Sequence, residues 1–591
     1  MLKKYPLYIL FFILPFNKSH SQCALFPVSI EERIKESNLI IEGRVVESFS
    51  FWDDNHDRIY TCNKINIYKI FKGTNNSSQI RVITSGGIVD GDMELNSSLL
   101  SLEIGECGIF ICKPSGTKMP DQKQINDSLT YEVVASKQGF IKYDTLSMRA
   151  NDVFVNYISK NQVYQLMDSL TQHSFLEIRK EEFGSFSSSV SAKLALTPVI
   201  KSFDPPITTA GTSSAITIKG SGFGSKTATN SVSFKNADDG GQSSVNPFPF
   251  QYKSWNDTSI VVVVPNKAGT GRVQVTNGQG TGTSVAILTI DYARTNAKEN
   301  PYEYPTFLMG KSGGGYSWKM NANFNADSLK KNSFLNAFRT WRCGTYVNWT
   351  CDSITTINRA VSDNVNVILF DTYSKLPSGV LGQCTSYYAS CKGVWYVKEY
   401  DIQFHDGVNW NYSLSNAGPT QVDFQSIATH ELGHGNQLGH VNAPNDIMYY
   451  GGPPGQTRRI LNANNIKGGT SIVNESSNNK NCNIPPMKPL NADICSIASL
   501  AFFDFSTKIF PNPFYSDLQI DYSLGYDATM TIILYNSMGQ NIATLLNEAQ
   551  KIGEYKYVFN VSTHNLPNGM YFLRLVVNGN VFTKKVIFLN Q

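Results

Sequence analysis

The eleven residues His430–His440, HELGHGNQLGH, gather three histidines and a glutamate in a chain that has only eight histidines among 591 residues. His430 and His434 are four apart, which on a helix sets both imidazoles on one face, one turn apart. So placed, they can share one zinc ion, with Glu431 beside the metal as a general base. His440 lies six residues past His434, where a continuing helix would carry it off that face. The chain is therefore expected to turn after His434, and Gly435 and Gly439 offer backbone freedom for the turn. Three protein ligands with a fourth position open is the layout of a catalytic zinc rather than a closed structural one.

Around the motif, Asp423–Gly433 reads as the helix that carries it. Ala326–Trp341 has Leu329, Phe334, Ala337, Phe338 and Trp341 on one helical face, and Val365–Phe370 and Val394–Phe404 read as strands. The strings NAFRTW, YDIQFHDGVNW and ATHELGHGNQLGH followed by DIMYY resemble a metzincin peptidase of matrixin-like type over residues 305–475. The resemblance implies an α+β catalytic domain in which His430, His434 and His440 bind Zn2+, Glu431 is base and then acid, and Met448 lies in a Met-turn beneath the metal. It implies a cleft bordered by a strand such as Val394–Phe404, on which an extended substrate can pair. Tyr450 matches the tyrosine of astacin- and serralysin-like Met-turns, which helps bind the zinc or the oxyanion. Two residues depart from the pattern. Gln437 replaces the family's turn glycine, so either the turn moves to a flanking glycine or Gln437 is strained. Gln403 stands where matrixins carry a structural-zinc histidine, so a second zinc is not implied, and nearby His405 is expected at the surface or cleft edge.

The rest of the chain reads as delivery and support. Lys3 and Lys4, the apolar run Tyr8–Leu14 and Ser19-His20-Ser21 form a signal peptide over residues 1–21, too short to span a bilayer. No later segment is long enough to be transmembrane. Residues 22–180 read as a β-rich N-terminal domain, with strands Leu39–Ser50, Ile59–Lys72, Gln79–Thr84 and Gly108–Lys113 and a helix from Asn161 to about Arg179. Its SNLIIEGRVVE and KINIYKIFKG strings are similar to netrin-like and metalloprotease-inhibitor β-barrels. A propeptide or a spacer both fit that position. A Ser-rich linker, Gly184–Ser191, leads to residues 196–292, where turn residues separate short alternating strands, as in an Ig-like β-sandwich. Pro205-Pro206, Gly220-Ser221-Gly222-Phe223-Gly224 and Ala268-Gly269-Thr270-Gly271 resemble an IPT/TIG domain, with Trp255 expected in its core. Tyr292–Tyr304 reads as a polar linker.

Residues 506–591 alternate as a small C-terminal β-sandwich, with strands Thr529–Tyr535, Tyr555–Val561 and Tyr571–Val577. Pro511-Asn512-Pro513, Gly569 with Tyr571, and Lys585-Val586 resemble the C-terminal sorting domain of the bacterial type IX secretion system. That implies a partner in the secretion machinery and a secreted or cell-surface location. Ten cysteines in an exported chain point to disulfides, with Cys107–Cys112, Cys343–Cys351, Cys384–Cys391 and Cys482–Cys495 as local pairs and Cys23–Cys62 by elimination; zinc ligation is the alternative, though no CxxC occurs. A net charge of +4 with 17% charged residues gives no sign of a nucleic-acid partner. The expected function is a secreted zinc endopeptidase acting on protein or peptide substrates through a zinc-activated water, with Glu431 as general base. The alternative is a surface adhesin or binding protein that retains a metzincin-like fold.

Overall fold

The β-branched and aromatic run Leu39–Trp52 pairs antiparallel with Ile59–Lys72 along its length and with Cys107–Pro114 on its other edge. Ile59–Lys72 pairs with Gln79–Ser85, and Thr130–Val133 bridges Gln79–Ser85 to Cys107–Pro114. These strands close on themselves as a barrel around Ile65, Val82 and Phe110. The helix that follows spans Lys160–Thr171 and stops at a left-handed Gln172, short of the expected Arg179; a strand, Leu176–Glu177, follows and pairs on Ile59–Lys72. The computed structural model describes residues 25–120, 129–144, 149–180, 197–299, 302–373, 375–451, 454–479, 481–491, 507–524, 528–550, 553–577 and 580–590. The signal peptide, Cys23, the Gly184–Ser191 linker and Cys495 lie outside the described residues.

The Ig-like region is a sandwich. Val199–Asp204, Ala215–Ser221, Ser259–Val263 and Tyr252–Trp255 form one sheet, and Ser231–Asn236 and Ala268–Asn277 centre the other. Ile218, Phe234, Val262 and Val275 fill the space between them. Trp255 is half-buried against that core and donates its indole N–H to the carbonyls of Phe223 and Gly224. The expected linker at Tyr292–Tyr304 is instead structured: Asn296–Glu299 and Tyr302–Phe307 form a hairpin whose second strand pairs with Val394–Phe404.

In residues 305–475, Trp349–Thr355, Tyr316–Asn321, Asn366–Phe370 and Val394–Phe404 run parallel, and Gly382–Cys391 pairs antiparallel on Val394–Phe404. Val394–Phe404 is thus interior to the sheet, with no edge for a substrate as expected of it, and Gly382–Cys391 is the strand beside Glu431, whose Cγ would stand 3.1 Å from a Cβ on Gly382. Helix Ser328–Thr345 packs on helix Phe424–Gly435, and Trp341 donates its indole N–H to the Thr429 carbonyl at 2.6 Å. The C-terminal strands Asp517–Leu524, Ala528–Asn536, Gly553–Asn560, Gly569–Val577 and Asn580–Phe588 enclose Phe514, Ile532 and Leu573.

The cysteines pair over a longer range than expected. Cys391 bonds Cys482, a separation of 91 residues, which excludes Cys384–Cys391 and Cys482–Cys495. Cys107 and Cys112 lie five positions apart on one extended strand, facing opposite sides about 16 Å apart, beyond disulfide reach. Cys343 is disulfide-bonded while Cys62 and Cys351 are thiols, so the Cys343–Cys351 and Cys23–Cys62 pairs do not form.

Candidate metal centre

Asp423 opens the helix that carries the motif. Its carboxylate accepts from the Ser426 N–H at 2.9 Å and the Ser426 hydroxyl at 2.5 Å, and it is paired with Arg459. An acceptor at this position satisfies helix N–H groups that have no partner within the helix. The helix spans Phe424–Gly435 and is buried on all sides. A Cβ on Gly433 would come within 2.3 Å of Met448 Sδ, so glycine there lets the Met-turn close beneath the helix.

The turn after the helix falls on Gln437, whose φ is 63°, and not on Gly435, which stays helical, or Gly439, which pairs with Ala293. A left-handed conformation costs a non-glycine residue about 1–2 kcal/mol. The buried Gln437 side chain offsets this. Its Oε1 accepts from the Tyr388 hydroxyl at 2.9 Å, and its Nε2 donates to the carbonyls of His434 at 3.3 Å and Gly435 at 3.4 Å. The amide thus serves helix-end carbonyls that lack an intrahelical partner.

The turn brings His440 back to the other two histidines. His430 Nδ1 donates to the Ile447 carbonyl at 2.7 Å, His434 Nδ1 to the Leu438 carbonyl at 2.8 Å, and His440 Nδ1 to Asp238 Oδ1 at 2.8 Å. Carbonyl and carboxylate oxygens only accept, so each ring carries its proton on Nδ1 and turns the Nε2 lone pair inward. The Nε2 atoms of His430 and His434 stand 3.0 Å apart, and one ligand nitrogen from each of the three histidines lies within 4.8 Å of the others. Two lone pairs that close repel unless a cation lies between them. Two imidazoles on one tetrahedral zinc, with bonds of about 2.0–2.1 Å, stand about 3.3 Å apart. His440 Nε2 is buried with no hydrogen-bond partner. Burial, with the neighbouring imidazoles, pushes the basicity of His430 far down and that of His434 to about 3; burial also lowers His440, against the pull of Asp238. Neutral rings with converging lone pairs are a donor set that fits zinc.

Glu431 stands beside them. Burial raises its carboxyl to about 8, against opposing hydrogen bonds from Ser97 and the Cys384 N–H. Its Oε2 accepts from the Ser97 hydroxyl at 2.9 Å, while Oε1 is buried without a partner. Tyr450 is buried near the site, but its hydroxyl donates to the Val153 carbonyl at 3.1 Å. His405 accepts from the Gly407 N–H and lies near Asp371 and Asp406, where the Lys375 ammonium already provides a cation, 2.6 Å from Asp406. Gln403 is buried in its strand opposite Gln383.

Two residues the sequence did not point to complete the site. Asp238 comes from the Ig-like domain and Ser97 from the N-terminal domain, 202 and 334 positions from the residues they touch. Nothing in the local sequence marks either, since each acts only through a long-range contact.

Three family models match the chain: matrixin over residues 316–472, the IPT/TIG domain over residues 198–292, and the secretion system C-terminal sorting domain over residues 508–589. No curated protein matches it. Among solved structures, the chain is similar to one described as a crystal structure with xylogluco-oligosaccharide, at 9% identity and a TM-score of 0.15, covering 66% of this chain and 60% of that one. It is also similar to dimeric latent PorU from Porphyromonas gingivalis, at 10% identity and a TM-score of 0.14, covering 73% of this chain and 37% of that one. The chain therefore spans less than two thirds of either structure's length. The geometry and the family matches agree on its composition: an IPT/TIG domain, a matrixin region that contains the histidine cluster, and a secretion-system sorting domain.

Proposed function

We propose that this chain is a zinc-dependent endopeptidase, secreted or held at the cell surface, that hydrolyses peptide bonds in protein or peptide substrates. The observation that carries the reading is the convergence of three Nε2 lone pairs beside the unpartnered Oε1 of Glu431. Zinc, when bound, supplies a Lewis acid that polarises the scissile carbonyl and acidifies water. His430, His434 and His440 would hold it, each ring fixed through its Nδ1 hydrogen bond. Glu431 receives the proton of the attacking water on Oε1 and delivers it to the leaving amine. Oε1 has no other hydrogen-bond partner, so it is free to take that proton and to return it. Tyr450 would stabilise the developing oxyanion once its hydroxyl leaves Val153.

Residues 506–591 would direct the chain to the type IX machinery. No described helix is long and apolar enough to cross a membrane. Metal analysis with a casein assay tests the reading. One zinc per chain is expected, and a chelator should abolish cleavage. Glu431→Ala should retain zinc and lose about 10²–10⁴-fold in rate. Cleavage by that variant at the wild-type rate would rule out the mechanism.

A further inference from the structure

The cleft-bordering strand Gly382–Cys391 has one edge on Val394–Phe404, and its other edge carries residues of the N-terminal domain. Asp92–Asn96 runs antiparallel along it, with Asn96 opposite Thr385, Leu95 opposite Ser386, Glu94 opposite Tyr387, Met93 opposite Tyr388 and Asp92 opposite Ala389. Side chains reinforce the ladder. Thr385 Oγ1 and Gln383 Nε2 donate to Asn96 Oδ1 at 2.9 and 2.6 Å, and Lys398 pairs with Asp92 at 3.0 Å. The chain then reaches Ser97, whose N–H donates to the Cys384 carbonyl at 3.1 Å, whose Oγ accepts from the Cys384 N–H at 3.0 Å, and whose hydroxyl proton is given to Glu431 at 2.9 Å.

We propose that residues 25–180 are an inhibitor of the metal cleft carried in the same chain, with Asp92–Asn96 taking the place of an extended peptide substrate and Ser97 tying up Glu431. This rests on the endopeptidase reading. The physical argument is exclusion. An edge strand has one open row of N–H and C=O groups, and a peptide that pairs there must displace whatever already does. Glu431 Oε2 and the Tyr450 hydroxyl are likewise engaged by Ser97 and by the Val153 carbonyl, both from residues 25–180.

The blocking strand is pre-set by its own domain. Glu94, buried, accepts from Arg58 Nη2 at 2.6 Å and from the Ile59 N–H at 2.8 Å, which locks Asp92–Asn96 to the barrel. Further contacts clamp the domain around the cleft. The Phe26 N–H donates to the Gly379 carbonyl at 2.7 Å, the Ser362 N–H to the Asp57 carbonyl at 2.8 Å, and Leu25 forms a bridge with Gly451. A strand anchored on both sides binds without the ordering penalty that a free peptide meets, so it competes with substrate and slows cleavage by the full chain without abolishing it.

The test uses the zinc-loaded full chain beside Leu95→Pro/Ser97→Ala, which removes a ladder N–H and the hydroxyl on Glu431. Three readouts apply: hydrogen exchange of residues 382–391, affinity for a peptide hydroxamate that chelates zinc, and casein hydrolysis. In the variant, exchange should quicken and hydroxamate affinity should rise on the order of tenfold or more, the scale of one to two lost hydrogen bonds. If hydroxamate affinity rises without casein cleavage, the inhibitory contact stands and the endopeptidase reading falls. Equal hydroxamate affinity and equal exchange in the two proteins would overturn the proposal. Should the proline variant lose its fold by circular dichroism, Ser97→Ala alone decides. It should raise hydroxamate affinity a few-fold, since one hydroxyl–carboxylate bond is lost, and unchanged affinity would again overturn the proposal.

Discussion

Asp238 Oδ1 and His440 Nδ1 meet at 2.8 Å across 202 positions of sequence and a domain boundary. The carboxylate belongs to the Ig-like sandwich, and the imidazole is the third member of the histidine cluster in the matrixin region. Burial alone would raise the Asp238 carboxyl, but Lys267 at 3.2 Å, Lys137 and His440 outweigh it and hold it far below the usual range, so it stays ionised. Strand Thr289–Arg294, which runs on from the Ig-like domain, also pairs Ala293 with Gly439, and Arg294 with Leu438, beside the same histidine. A carboxylate on the far nitrogen of a metal-binding imidazole fixes its tautomer and raises its basicity.

Asp238→Ala should therefore weaken zinc binding about 10–100-fold while leaving the three ligands in place. Competition against a chromophoric chelator measures this directly. Asp238→Asn, which keeps an acceptor oxygen, should recover part of the loss. Equal zinc affinity in wild type and Asp238→Ala would show that the Ig-like domain only abuts the site.

Gln437→Gly would restore the residue expected at a left-handed turn, yet it should destabilise the protein. Relief of backbone strain contributes about 1 kcal/mol. Against this, the Tyr388 hydroxyl loses its buried acceptor and the Gly435 carbonyl loses its side-chain donor, at about 1–3 kcal/mol for each group left buried and unsatisfied, while the His434 carbonyl keeps the backbone N–H of residue 437 at 2.8 Å. A net loss of about 1–5 kcal/mol in urea unfolding is expected. A variant more stable than wild type would mean that the amide contacts contribute little.

The histidine cluster was legible because HELGHGNQLGH encodes its own geometry: helical spacing for two ligands and a turn for the third. The sandwich strands and the helix that carries the motif were legible for the same reason, since period and punctuation are local. What escaped was every relation between distant segments. Val394–Phe404 looks as exposed in sequence as Gly382–Cys391, and only sheet order tells which borders the cleft. Gln437 read as a misfit because its compensation lies on Tyr388, 49 residues away. Proximity in sequence misled the cysteine pairing, since Cys391 reaches Cys482 when the segment after helix Ala463–Asn478 folds back on the sheet.

That disulfide fixes the far end of strand Gly382–Cys391 to the segment that follows helix Ala463–Asn478. Closing a loop of 91 residues removes denatured-state entropy worth about 4–5 kcal/mol in the chain-entropy picture. Cys391→Ser/Cys482→Ser should lower the thermal midpoint of the matrixin region by several degrees, seen in the fluorescence of its buried tryptophans Trp318, Trp341, Trp349 and Trp395. An unchanged midpoint would indicate that strain in the native state cancels the entropic gain.

Glu399 and Asp401 lie two apart on strand Val394–Phe404, on one face and fully buried. Glu399 accepts from the N–H groups of Asp363 and Asn364, and Asp401 from those of Val361 and Val367. Burial raises Glu399 from 4.5 to about 7, and burial with the Glu399 charge raises Asp401 well above its ordinary value. The folded state therefore binds more protons than the unfolded chain between pH 4.5 and about 7, so this pair makes stability fall as pH rises through that window. Glu399→Gln removes the titration. It adds a pH-independent offset, because an amide can accept from only one of the two N–H groups. The stability of the variant relative to wild type should then climb by up to about 3 kcal/mol between pH 4.5 and pH 8, most of it before pH 7. Urea midpoints across that range would show it, and parallel curves for the two proteins would mean that both carboxylates are already ionised in the fold at low pH.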